Sequence, residues 1–169
     1  MSTKRFMYVN RKAPYGTIYA LESLEVVLIG AAFEQDVSLA FVDDGVYQIA
    51  RNQETEELGV KNFSPTYKAL GDYDVRKLYV EQESLEARGL TVDDLMPLTY
   101  ADEEDDYKEK PSIQVVSSAE LSEMASLGLQ IVPGNPASAF THFGTARADL
   151  PTINGCGESG GGGGGAPPS

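Results

Sequence analysis

The stretch Leu78-Tyr79-Val80-Glu81-Gln82-Glu83-Ser84-Leu85-Glu86-Ala87-Arg88-Gly89-Leu90 passes from a short β-branched and aromatic run, through a polar turn, into a helix of one to two turns over Ser84–Arg88 closed by Gly89. A strand-to-helix junction of this kind is the repeating unit of open α/β sheets. Ligands and reactive groups collect just past the carboxyl ends of such strands, because helix N-termini and free backbone N–H groups converge there. Glu81 holds that place. A carboxylate is a poor nucleophile at neutral pH unless strongly activated, and no neighbour in sequence offers to activate it.

Working outward, the same alternation recurs. Arg5–Asn10 has the length and apolar content of a buried strand, Pro14 and Gly16 mark a loop, and Thr17 stands where an N-cap belongs. Ile18–Phe33 is of helix length, and its second half, Val26–Phe33, has no polar face. A helix lying on a sheet keeps about half its circumference wet, so an all-apolar half predicts cover on both sides: the chain's own sheet on one and, on the other, a second subunit in preference to another helix of this chain. Asp36–Val42 reads as the second strand, Val46–Ala50 as the start of a short helix, and Ser64-Pro65 as a helix start running to Leu70. Ile113–Val116, Ser118–Ser126 and Leu129–Val132 predict a strand, a helix and a last strand. The dense acidic run Asp102–Lys110 reads as an exposed linker. Together these elements predict a mainly parallel sheet of about four to five strands with helices on both faces.

The 169 residues are 41% apolar, enough for one sizeable core. That core is expected over residues 1–133. Residues 134–169, with six consecutive glycines at Gly160–Gly165 and a Pro-Pro end, hold too little apolar surface to offset their ordering entropy and are expected to be a disordered tail. Thirteen basic side chains against 26 acidic ones give a formal charge of −13, which disfavours direct binding to nucleic acid or an anionic membrane surface. The single cysteine, Cys156, cannot form an internal disulfide, and no export signal or membrane-length apolar run stands out, so a cytoplasmic location is expected.

Three motifs invite chemistry and fall short of it. Asp43-Asp44 could ligate a cation, but a Mg²⁺ site wants further oxygen ligands from other strand ends and a lysine to reach a phosphate; a solvated or capping turn is preferred. Ala13-Pro14-Tyr15-Gly16-Thr17 lacks the spaced glycines and lysine of a phosphate loop and is expected to shape a turn that displays Tyr15. His142, the only histidine, and Cys156 both fall in the tail, where a thiol has no preorganised partner.

Four segments in order, Lys4–Thr17, Phe41–Gln48, Tyr67–Tyr73 and Ser84–Leu90, make the chain resemble the DsrE/DsrF/DsrH (TusBCD) sulfur-relay family, on its DsrF/TusC-like side. The resemblance implies a flavodoxin-like parallel α/β fold and a ring-shaped dimer of heterotrimers built with DsrE-like (TusD-like) and DsrH-like (TusB-like) subunits, serving a DsrC-like (TusE-like) sulfur acceptor. In that family the DsrE-like subunit carries a persulfide on a cysteine at the strand-to-helix junction. The matching position here is Glu81, and a carboxylate cannot hold sulfane sulfur.

The expectation is therefore a structural and docking subunit of a cytoplasmic sulfur-transfer complex, without cofactor, metal or catalytic residue of its own. Its interface candidates are Tyr15, Val26, Val27, Ile29, Phe33 and Tyr47. Oxidative sulfur metabolism is preferred over the tRNA-thiolation relay. The competing readings are a sulfurtransferase acting through Cys156 and a phosphate- or small-molecule-responsive module, the latter resting on architecture alone.

Overall fold

In the computed structural model, which describes residues 3–126 and 130–133, five parallel strands form the central sheet in the order β6-β3-β2-β1-β7. These are β1 (Arg5–Asn10), β2 (Asp36–Phe41), β3 (Lys77–Glu81), β6 (Ile113–Val116) and β7 (Gln130–Pro133). Helix α1 (Tyr19–Ala32) links β1 to β2, α2 (Gln82–Ala87) follows β3 directly, and α3 (Ser118–Ser126) precedes β7. The parallel α/β architecture expected from the alternation is present. Expectations for residues 134–169, including His142 and Cys156, lie outside the described residues.

Strand alternation divides the core. Registers such as Tyr8↔Leu39 and Leu39↔Leu78 align one set of side chains, Phe6, Tyr8, Leu39, Phe41, Leu78 and Val80, in a cluster that buries Ala20, Leu24 and Val27 of α1. Full burial of Leu24 and Val27 contributes roughly 1.5–3 kcal/mol each. The opposite set, Met7, Val9, Ala40, Val42 and Val116, packs against Leu121 of α3 in a smaller cluster. Helices thus cover both faces unequally.

The junction quoted first is built as its sequence suggests. Strand β3 runs straight into α2, and Gly89 (φ 66°) ends the helix in the left-handed conformation. Gly89 N–H donates to Glu86 O (3.1 Å) and Leu90 N–H to Leu85 O (2.9 Å), the paired bonds of a Schellman turn. Helix α3 opens with a capping box, Glu120 N–H to Ser117 Oγ (3.1 Å) and Ser117 N–H to Glu120 Oε2 (2.7 Å). Thr17 does not cap α1; Ile18 is the N-cap and has no side-chain oxygen to offer.

The acidic run is a second correction. It is no linker but the tip of an antiparallel hairpin of β4 (Thr99–Asp102) and β5 (Lys108–Pro111). Two of its carboxylates are paired in place: Lys110 pairs with Asp102 and, at 3.3 Å, with Asp105, which also meets Lys108 at 2.9 Å. The Lys110 and Lys108 hydrogen bonds hold the Asp102 and Asp105 carboxyls, respectively, below their ordinary 3.8. A depressed folded-state pKa gives stability that is present above the unfolded value and lost as pH falls through the lower folded one. Protection factors of the hairpin amides, taken relative to the intrinsic exchange rate at each pH, are therefore expected to hold on acidification to about pH 4 and to fall only below it, with little change in global stability because the pairs are exposed. Hydrogen exchange across that range checks this.

One close approach fixes the loop after β2. A Cβ on Gly45 would lie 1.9 Å from Asn10 O, which cannot retreat because it accepts Val42 N–H at 3.0 Å. Gly45→Ala is expected to destabilise the fold by about 3 kcal/mol, read as a lowered urea midpoint at unchanged slope.

Candidate functional site

The carboxyl ends of β1, β2 and β3 are laced together by polar side chains. Arg11, just past β1, reaches Asp43, just past β2, with Nε at 2.9 Å and the second guanidinium nitrogen at 2.8 Å from Oδ2. Asp43 has a left-handed backbone (φ 50°), and its N–H donates to Ser84 Oγ of α2 at 2.8 Å. Ser84 in turn donates to Glu81 Oε1 at the end of β3, 2.6 Å away. Asp44 is held by Arg88, the C-cap of α2, at 3.0 Å, and Glu83 Oε2 accepts the Ser118 N–H at the start of α3 at 2.8 Å. The Asp43-Asp44 pair is thus a salt-bridged turn.

Beside this lacing, between the sheet and α3, opens a cavity of about 300 Å³. Met7, Val9, Val42, Leu121 and Ala125 supply its apolar lining, and Arg11, Asp43, Glu81, Ser118 and Ser122 its polar lining. The crevice therefore lies where open α/β sheets place their sites, outside the carboxyl ends of the strands. Sequence reasoning singled out Glu81 and Asp43 but not Arg11, Ser84, Ser118 or Ser122. Arg11 alone left a signal, as a cation immediately after a buried strand.

The expected interface residues separate into two groups. Ile29 and Phe33 project from α1 into solvent, 57% and 73% exposed, and lie one turn apart on the same face. Ile18 and Leu21 extend exposed apolar surface to the start of that helix, and Tyr47 is exposed at the loop after β2. Val27, by contrast, is wholly buried in the chain's own core, and Val26 packs partly against it. Val27 cannot contact a partner, because this side of the helix is the one facing the sheet. Tyr15 is not displayed either. Its hydroxyl donates to Gln53 Oε1 (2.7 Å) with Asn62 Oδ1 at 3.0 Å, and its ring stands edge-on to Phe63 at 5.5 Å. Burial raises its pKa, partly offset by the Phe63 backbone. The phenol pins the polar loop over residues 51–62 to the core.

Comparison with known proteins gives four findings. The DsrE/DsrF-like family matches residues 4–132. The chain is 60% identical over 121 residues, 72% of its length and 89% of the relative's, to the intracellular sulfur oxidation protein DsrF of Allochromatium vinosum. It is 36% identical over 89 residues, 53% of its length and 75% of the relative's, to a TusC homolog of Vibrio vulnificus. Among solved structures it is similar to the ychN protein of E. coli, with a TM-score of 0.58 and 15% identity over 78% of this chain and 99% of that one. At that identity the likeness concerns the fold.

Proposed function

The chain belongs to the DsrE/DsrF-like family, and on that premise we propose that it is a non-carrying subunit of a sulfur-transfer complex, contributing surfaces rather than a thiol. One observation carries this: the family-matched segment 4–132 contains no cysteine, since the only one is Cys156. A persulfide carrier needs a thiolate on a rigid element beside its acceptor, and the strand end where relatives of the carrying type would hold it has Glu81 bonded to Ser84. What remains to contribute is the apolar outer face of α1.

The partners proposed are DsrE-like (TusD-like) and DsrH-like (TusB-like) subunits in a heterohexamer that serves a DsrC-like (TusE-like) acceptor. Among the described residues no helix is long and apolar enough to cross a membrane, which fits an assembly of such subunits in the cytoplasm. Identity of 60% over 89% of a sulfur oxidation protein, against 36% over 75% of a TusC homolog, favours oxidative sulfur metabolism over tRNA thiolation. Co-expression with DsrE-like and DsrH-like chains, followed by size-exclusion light scattering, tests the assignment. The expected result is one species containing all three chains. A chain that elutes alone as a monomer overturns it.

A further inference from the structure

We propose that the cavity beside Glu81 is a binding site for a primary ammonium group on an aliphatic stem, such as a lysine side chain or a free alkylamine. Three features select this chemistry. First, the lining carries a net negative charge: its two carboxylates, Asp43 and Glu81, outnumber its one cation, Arg11, which is paired with Asp43, while Glu81 accepts the Ser84 hydroxyl on Oε1. Second, an anion is disfavoured even though α3 begins here. Two carboxylates already stand at its start, Glu83 on Ser118 N–H and Glu120 on Ser117 N–H, so a further negative charge would meet their repulsion. Third, the apolar lining of Met7, Val9, Val42, Leu121 and Ala125 offers methyl and thioether surface to a methylene stem, with Ser122 and Ser118 also lining the cavity.

A divalent cation fits less well. Among the described residues no group of three His, Cys, Asp or Glu side chains converges to hold one. One carboxylate not ion-paired to Arg11, beside methyl and thioether side chains, suits a monovalent head group with an aliphatic tail. The formal charge of −13 favours approach of such a ligand at low salt.

The test is a methyl and amide NMR titration of the full chain with butylammonium chloride, and with sodium butyrate at equal ionic strength. Saturable shifts at Met7, Val9 and Leu121 with the amine, and none with butyrate, are expected. Glu81→Gln keeps an acceptor for Ser84 and should weaken amine binding on the order of tenfold. Leu121→Phe, which fills the cavity, should abolish the shifts in a protein whose thermal melt shows it folded. Nα-acetyl-lysine methylamide and 1,5-diaminopentane form the second arm, and tighter binding of one identifies a protein side chain or a free amine as the source. Equal response to butyrate, non-saturating shifts, or an unchanged affinity in Glu81→Gln would overturn the site. The titration uses the isolated chain, so its failure leaves the assembly experiment standing, and failure of assembly leaves the titration standing.

Discussion

Ile29→Glu combined with Phe33→Glu is expected to leave this chain folded and to remove it from a complex with the proposed DsrE-like and DsrH-like partners. Both side chains are mostly solvent-exposed, and neither belongs to the core cluster that holds α1 to the sheet through Leu24 and Val27. Glutamate is a good helix former, so the change should alter the melting temperature little. At an interface the effect is of another order. Large apolar residues adjacent on one helix face form the kind of anchor whose truncation costs about 2 kcal/mol or more, and a charge placed there adds an unpaired, desolvated carboxylate. Two such sites together are expected to weaken association by about a thousandfold or more, seen as loss of co-elution at micromolar concentration. Retention of the double variant in the complex with unchanged stoichiometry would show that another face makes the contact.

How far the sequence alone could reach is clear from particular residues. The alternation of apolar runs and turn residues located β1, α1, β2, β3, β6 and α3, because each element buries a stripe or a face and so leaves a period in the chain. The hairpin over Thr99–Pro111 left no such mark. Its strands are short and largely exposed, and Lys110 bridges Asp102 and Asp105 across it, a pairing that looks in sequence like mutual repulsion. The same limit applied to the site. Glu81 was legible from the junction, but the lacing by Arg11, Asp43 and Ser84 joins residues 32 and 41 apart and exists only once three strand ends are side by side. Val27 and Ile29 show the finest grain of the failure. Both lie in the all-apolar half of α1, and only the direction of each side chain relative to the sheet separates a core residue from an exposed one.

Glu81→Cys, made in a Cys156→Ser background that has no thiol of its own, is expected to give a chain that holds about one sulfane sulfur atom. The step is an exchange without net redox change. The new thiolate attacks the outer sulfur of a small-molecule persulfide, the donor's S–S bond breaks, its thiolate leaves, and a persulfide forms on the protein. Two features of the site support the reactive form. The Ser84 hydroxyl, now donated to Glu81 Oε1 at 2.6 Å, becomes available to a thiolate, and Arg11 lines the same cavity. Donors and cations of this kind lower a thiol's pKa and so raise its thiolate fraction, although the Asp43 partner of Arg11 tempers the effect. Intact-mass spectrometry after incubation with donor should show the added sulfur in the double variant, its loss on reduction, and none in Cys156→Ser alone. If Cys156→Ser alone still acquired sulfur, the chain would load it without any thiol and the docking role would fail. If the double variant were readily alkylated yet never retained sulfur, the strand end would lack more than a thiol, and replacing the cysteine of a carrier by glutamate could not be the one change that silences this subunit.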